Sequence, residues 1–436
     1  MVRIPNFIAG EWSFDGAEKP ILNQEGIAVA TVFSAADEQL RQAKWAMRVA
    51  AERLEQVEPS RMADLLAAMA PLYFKNPEKI RVLAELTGSG IQHLEASIQK
   101  RRTWCSNAGT YLTMAGGSPG RLGEGVKIIS QPKGPLVAIL PKNSDEESMY
   151  VMAQALLARV PVLIRSSSFG PTSFSAVEFL ECMLEALLLP EFKDMSWLPS
   201  AFNVMNLFHA VEKDKIIDRL FVEGGVYLLF GNQKTINPIA SRLAALGCAD
   251  VILMGTGMAM SVVLEGADLR GILGEIYESC VFNNGTECIS NRVIYADAKV
   301  ADRLEAGLKD LAADRAGHSP FQLRRASLST GIPESGGTLI WLKAFNGRAE
   351  LLEGIHADLH ENKIDRSIAC SVYGPAAAPT PEWTLRLPAF TLRYGLGTHR
   401  FDPMQPHQGE FLLDRLLVKK LVVMDAQRQP VLAAKA

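Results

Sequence analysis

Between residues 136 and 246 short apolar runs alternate with amphipathic stretches of helical period, and that alternation admits few architectures. Leu136-Val137-Ala138-Ile139-Leu140, residues 160–164 and Val226–Phe230 read as buried strands, whereas residues 148–159, 171–188 and 234–246 read as helices. Strands apolar on both faces, each followed by a helix, call for a parallel sheet covered on both sides. Pro161 has no N–H to give a ladder, so its strand either lies at an edge or starts there. Ligands of such sheets gather beyond the carboxyl ends of the strands. That rule singles out residues 141–144, 165–168 and 231–233.

The flanks read differently. Residues 6–12 and 27–33 suggest short strands, and helical periodicity fills 35–100, with Ala43, Ala46, Val49, Ala50 and Leu54 on one face and Met62, Leu65, Leu66 and Met69 on the next. A Gly-rich stretch, 116–125, suggests a hairpin-like excursion before 126–130. A second αβ series runs from Ala267 to Pro375, with 315–335 read as a loop or linker inside it. The tail, 416–423, is strongly β-prone and has no neighbour in sequence, so it is expected to add to another sheet, often in another subunit.

Bulk properties narrow the function classes. A chain of 436 residues favours two or three domains. A formal charge of −3 and a pI near 6.2 leave no basic footprint for nucleic acid. Six cysteines (105, 182, 248, 280, 288 and 370) show no CxxC pair and no His-Cys cluster, against zinc or a disulfide scaffold and in keeping with a reducing compartment. No secretory h-region and no bilayer-length apolar run is present, so a cytoplasmic protein without membrane contact is expected.

Chemistry concentrates in Phe282-Asn283-Asn284-Gly285-Thr286-Glu287-Cys288-Ile289-Ser290-Asn291-Arg292-Val293. A thiol at the mouth of a strand can attack a carbonyl carbon while backbone N–H groups stabilise the oxyanion. The plain alternative is a small buried hydrophobe.

Over nearly its whole length the chain resembles the aldehyde dehydrogenase superfamily. Phe7-Ile8-Ala9-Gly10-Glu11-Trp12 is similar to the family's opening I-N-G-E-W, and Gly134-Pro135-Leu136-Val137-Ala138-Ile139-Leu140-Pro141-Lys142-Asn143 to its G-V-x-x-x-I-x-P-W-N. Val162-Leu163-Ile164-Arg165-Ser166-Ser167-Ser168 followed by Pro171 looks like V-V-x-K-P-S-E-x-x-P, and Phe230-Gly231-Asn232 falls where the family has T-G-S. Met254-Gly255-Thr256-Gly257-Met258 with Ala267-Asp268-Leu269 aligns with E-L-G-G-K and D-A-D-L, and 282–288 with F-x-x-x-G-Q-x-C. Residues 409–423 are similar to the family's closing oligomerisation strand.

The resemblance implies an α/β fold in three parts: a Rossmann-type NAD(P)-binding domain (1–113 and 132–254), a catalytic domain (255–408) and a small β oligomerisation element (114–131 and 409–436) that would make a homodimer or homotetramer. It implies Cys288 as nucleophile and the Asn143 amide, with the Cys288 N–H, as oxyanion hole. Pro141, Lys142, Arg165, Ser167, Ser168, Gly231, Asn232 and Gly255 would line the cofactor. Ser168 stands where NAD-preferring members carry Glu, so Arg165 with Ser167 and Ser168 favours NADP(H) over NAD(H). The plain alternative at 166–168 is a polar strand-to-helix turn.

Three departures matter. Met254 replaces the glutamate that activates water, and a thioether accepts no proton. Glu287 or Glu223 could substitute, but family members without the base commonly pass the acyl group to coenzyme A, or run backwards from an acyl thioester held by coenzyme A or a carrier protein. Ser371-Val372-Tyr373-Gly374-Pro375 lacks the carboxylate of E-x-F-G-P, and about forty residues of usual family length are missing after it. The expected function is thus an oxidoreductase acting on an aldehyde or acyl thioester through a thioacyl-Cys288 intermediate. Alternatives are a hydrolytic enzyme with a relocated base and a catalytically impaired binding or assembly subunit. Gly255-Thr256-Gly257 is an incomplete dinucleotide fingerprint. His356, His360 and Glu361 read as a solvated helix face, short of the ligands zinc needs.

Overall fold

The computed structural model describes residues 1–23, 26–115, 120–123, 126–141, 145–166, 171–207, 213–231, 233–254, 257–285, 287–315, 321–332, 338–364, 366–375, 382–399 and 412–423. The chain divides into two compact units, Met1–Gly255 with Glu410–Ala436, and Thr256–Gly409.

The first unit is built on a seven-stranded sheet in the order Val251–Met254, Val226–Phe230, Leu136–Ile139, Val162–Arg165, Phe202–Met205, Asn6–Ile8, Glu11–Ser13. The first five strands are parallel, and the last two add antiparallel. All four residues of Leu136–Ile139 are buried, as a strand covered on both faces requires. From it the chain winds one way through Val162–Arg165 and Phe202–Met205 and the other way through Val226–Phe230 and Val251–Met254. The order therefore reverses between Leu136–Ile139 and Val226–Phe230, the switch point at which a crevice opens in such sheets.

Val162–Arg165 lies in the sheet interior, so Pro161 marks a strand start and no edge. Its carbonyl still accepts from the Leu136 N–H at 2.8 Å. Phe202–Met205 and Val251–Met254, both short, carried too little periodicity to be read from sequence.

The tail expectation is corrected. Leu417–Val423 pairs antiparallel with Val126–Pro132 of its own chain, from Leu417↔Pro132 to Val423↔Val126, and Gly120–Gly123 completes a three-stranded sheet. The partner is remote in sequence but in the same chain.

In the second unit six parallel strands run in the order Gln322–Arg325, Leu339–Phe345, Asn291–Asp297, Ala259–Val263, Ser367–Tyr373, Ala389–Tyr394. Successive side chains feed opposite cores: Val262, Val293, Tyr295 and Val372 on one face, Val263, Ile294, Ala296 and Tyr373 on the other. The stretch read as a loop contains the edge strand Gln322–Arg325, which is too exposed to show an apolar pattern. A buried ion pair braces one face. Lys343 Nζ donates to Asp358 Oδ1 and to the Thr330 carbonyl, each at 2.7 Å, and Asp358 also accepts from the Ile332 N–H and the Tyr295 hydroxyl.

Candidate active site

Two strand ends flank the switch point in the first unit. Beyond Leu136–Ile139 the Pro141 carbonyl accepts from Thr172 Oγ1 at 3.3 Å, tying that end to the helix Thr172–Ala186. Beyond Val226–Phe230, Gly231 keeps the edge clear, since a Cβ there would come within 3.2 Å of Ile236 Cγ2. Arg165 closes its strand in register with Ile139 and Met205. Its Nε is enclosed with no hydrogen-bond partner, and burial pulls its pKa below the usual guanidinium value. A guanidinium stays charged even so, so this strand end offers positive charge with its Nε unanswered.

A buried polar stitch behind Arg165 was not foreseen. Ser166 Oγ donates to Asn206 Oδ1 at 2.9 Å, Ser173 Oγ lies 2.8 Å from Ser166 Oγ, the Asn206 N–H reaches Asn6 Oδ1 at 2.9 Å, and Asn6 Nδ2 donates to the Phe33 carbonyl. These residues fix the strand end on which Arg165 sits. Their only trace in the sequence is asparagine next to apolar strand residues.

Lys142, Asn143, Ser167, Ser168, Asn232 and Gly255 lie outside the described residues. Met254 ends the edge strand Val251–Met254 in register with Phe230. Glu223 lies at the opposite end of Val226–Phe230 from Gly231. It is exposed and precedes Val226–Phe230, roughly 20 Å along the strand from the carboxyl end, at about 3.3 Å per residue.

In the second unit Cys288 is half-buried in the turn between the 3-10 segment Phe282–Gly285 and the strand Asn291–Asp297. With Ile289 it packs against Ala259, Ile368 and Ala369. Gly257 passes so close that a Cβ would sit 2.9 Å from the Cys288 carbonyl oxygen and 2.7 Å from Ile368 Cγ2. The turn is held by its own chain. Ser290 Oγ donates to the Phe282 carbonyl at 2.9 Å, the Ser290 N–H to the Glu287 carbonyl at 3.1 Å, and the Arg292 guanidinium to the Gly285 carbonyl. Glu287 itself is buried beside the cysteine.

None of the six cysteines is in a disulfide. Burial pushes the Cys105 and Cys280 thiols up to about 12 and raises those of Cys182, Cys248 and Cys370. Ser371 is fully buried in mid-strand, where it is not presented to a ligand. His356, His360 and Glu361 are exposed on the helix Arg348–Glu361.

A segment missed in the sequence reading lies against the cysteine turn. Thr398 Oγ1 donates to Asn291 Oδ1 at 3.2 Å, His399 Nδ1 is 2.9 Å from Ser279 Oγ, and the His399 ring stands 6.0 Å from that of Phe282. One histidine in a Gly-rich stretch carries no periodic signal.

Among the described residues no helix is long and apolar enough to cross a membrane. The profile of the aldehyde dehydrogenase family matches residues 18–323. No curated protein sequence matches the chain. Among solved structures it is similar to betaine aldehyde dehydrogenase from Staphylococcus aureus in complex with NAD+ (16% identity, 99% of this chain and 97% of that one, TM-score 0.79). It is also similar to salicylaldehyde dehydrogenase from Pseudomonas putida G7 complexed with salicylaldehyde (16%, 98% and 99%, TM-score 0.77). A third is NADP-dependent glyceraldehyde-3-phosphate dehydrogenase from Bacillus halodurans C-125 complexed with NADP (15%, 98% and 100%, TM-score 0.78).

Proposed function

The chain belongs to the aldehyde dehydrogenase family of NAD(P)-dependent oxidoreductases, and from that premise we propose that it is an NADP-preferring enzyme whose thioacyl-Cys288 intermediate is resolved by an external thiol. The observation that carries the reading is the thiol of Cys288, half-buried at the head of a strand in a turn pinned on both sides. Such a sulfur adds to an aldehyde carbonyl, and its own backbone N–H can stabilise the oxyanion. Asn143 is kept as the second donor on the sequence resemblance alone.

Two features fit a phosphate-bearing dinucleotide: the enclosed Arg165 Nε without a partner, and the strand end that Gly231 keeps clear beside the start of the helix Gln233–Ala245. When bound, that cofactor supplies the hydride acceptor. Arg165 would hold a phosphate or ribose hydroxyl, with Pro141, Lys142, Ser167, Ser168, Asn232 and Gly255 as further contacts. The absence of a carboxylate at Ser168 removes the repulsion that a 2′-phosphate would otherwise meet.

Met254 supports the thiol branch, because a thioether cannot draw a proton from water. Coenzyme A or a carrier-protein thiol would take the acyl group, and the reverse direction would reduce an acyl thioester. The segments 114–131 and 409–436 would serve oligomerisation through the open edge of their common sheet. Turnover of an aldehyde with NADP, with and without coenzyme A, tests the reading. A strong acceleration by coenzyme A supports it, and equal hydrolytic turnover in both arms overturns the thiol-transfer step.

A further inference from the structure

The direction of the Cys288 N–H is set by atoms on the far side of its own peptide bond. A trans peptide is planar, so the Glu287 carbonyl and the Cys288 N–H point opposite ways. Among the described residues no peptide bond is cis. The Glu287 carbonyl is approached by two donors. The Ser290 N–H reaches it at 3.1 Å, which closes a four-residue turn with Cys288 in its second place, and Arg292 Nη2 stands at 3.5 Å. Both donors lie where the chain enters the strand Asn291–Asp297. The carbonyl therefore faces the strand entrance, and the Cys288 N–H faces away from it.

The same guanidinium donates through Nη1 to the Gly285 carbonyl. Gly285 sits at φ 65°, in the left-handed region that glycine enters without strain. One planar fork thus spans two carbonyls upstream of the thiol, a geometry that a point charge on a flexible stem does not reproduce. A cation on a carbonyl also polarises the amide, so the N–H across that bond becomes a stronger donor.

We propose that Arg292 is a positioning residue for the reaction of Cys288: it fixes and polarises the Glu287–Cys288 peptide, so that the Cys288 N–H is presented as the oxyanion donor. The inference rests on the proposed role of Cys288. In the step it supports, the sulfur pair forms the S–C bond to the carbonyl carbon and the thiol proton leaves to water. The C=O π pair moves onto oxygen, where the Cys288 N–H receives it.

The test compares two reactions of one sulfur in the intact protein at a single pH, with peptide mapping to identify Cys288 as the site. Iodoacetamide alkylates it by displacing iodide and builds no oxyanion. 4-Nitrophenyl acetate acylates it through an oxyanion, whose collapse breaks the aryl C–O bond and releases nitrophenolate. Arg292→Met should slow acylation about 10- to 100-fold, less than the roughly 100- to 1,000-fold lost when an oxyanion donor is removed outright. Alkylation should change by less than about threefold, because that reaction makes no use of the N–H. Arg292→Lys, which keeps the charge without the fork, should slow acylation about three- to tenfold. It carries the test where Arg292→Met does not fold. Acylation and alkylation falling together, or acylation unchanged in a folded variant, overturns the role of Arg292 and leaves that of Cys288 standing. Acylation that persists in Cys288→Ala overturns the role of the cysteine, and the inference with it.

Discussion

Phe230 and Met254 are register partners at the last step of two adjacent parallel strands, and the N–H of Gly231 reaches the Met254 carbonyl at 3.2 Å. Met254, proposed to take the place of a water-activating carboxylate, is thus fixed at the carboxyl end of an edge strand, next to Gly231 at the switch point.

A carboxylate at 254 should therefore restore the missing chemistry without disturbing the strand. Met254→Glu is expected to raise turnover in the absence of coenzyme A by about 10- to 100-fold, at the low end of general-base contributions. Steady-state assays with and without the thiol measure it. A variant still dependent on the thiol would refute the assignment of position 254.

Thiol labelling at pH 7 should be selective. Burial holds the Cys105 and Cys280 thiols near 12 and raises Cys182, Cys248 and Cys370, so one equivalent of iodoacetamide should land on Cys288. The other five should react only once the chain is unfolded. Native labelling of Cys248 ahead of Cys288 would contradict this.

Arg165 should discriminate between cofactors. NADP at a hundredfold excess over its Kd should stabilise the protein by about 2.7 kcal/mol against thermal unfolding, and NAD at the same concentration by less. Arg165→Gln removes a charge-assisted contact worth about 1.5–3 kcal/mol. It should weaken NADP roughly 10- to 100-fold and narrow the preference. Equal shifts with both nucleotides in wild type would count against a phosphate at Arg165.

Stability should fall as the solution becomes alkaline. Cys105, Cys280 and Tyr227 are pushed up to about 12 by desolvation, from ordinary values near 9 for the thiols and 10 for the phenol. Between those limits the folded chain keeps protons that the unfolded chain has lost, so the unfolding free energy declines with rising pH, by up to about 1.4 kcal/mol per unit for each group. The urea midpoint should drop steadily from pH 8.5 to 10.5, and Cys280→Ala should flatten the slope. A constant midpoint would show that these groups do not govern the alkaline limb.

Lys343 and Asp358, both fully buried, should be far less tolerant of single than of paired replacement. Lys343→Met strands a buried carboxylate and should cost about 3–5 kcal/mol, whereas Lys343→Met with Asp358→Leu should recover most of the loss. Urea unfolding of the three proteins measures it.

The parallel sheets were legible because their strands are buried on both faces, and unbroken apolar runs such as Leu136–Ile139 announce that directly. Gln322–Arg325 was not, because an exposed edge strand has no apolar face to display. Cys288 and Arg165 stood out as candidates because each follows or precedes an apolar run at a strand end. The buried polar pairings could not be read. Asn6 and Asn206 are 200 residues apart and Ser279 and His399 are 120 apart, so their pairing exists only once the strands are assembled.

The pairing of Leu417–Val423 with Val126–Pro132 has a consequence in time. A ribosome adds about 5–20 residues each second, so the two strands emerge roughly 15–60 s apart. Throughout that interval the second unit is made in full, while Val126–Pro132 waits with one ladder of N–H and C=O groups unanswered. The first unit, begun first, is thus the last to be closed, and the final strand acts as the latch that ends its exposure to mispairing with other nascent chains.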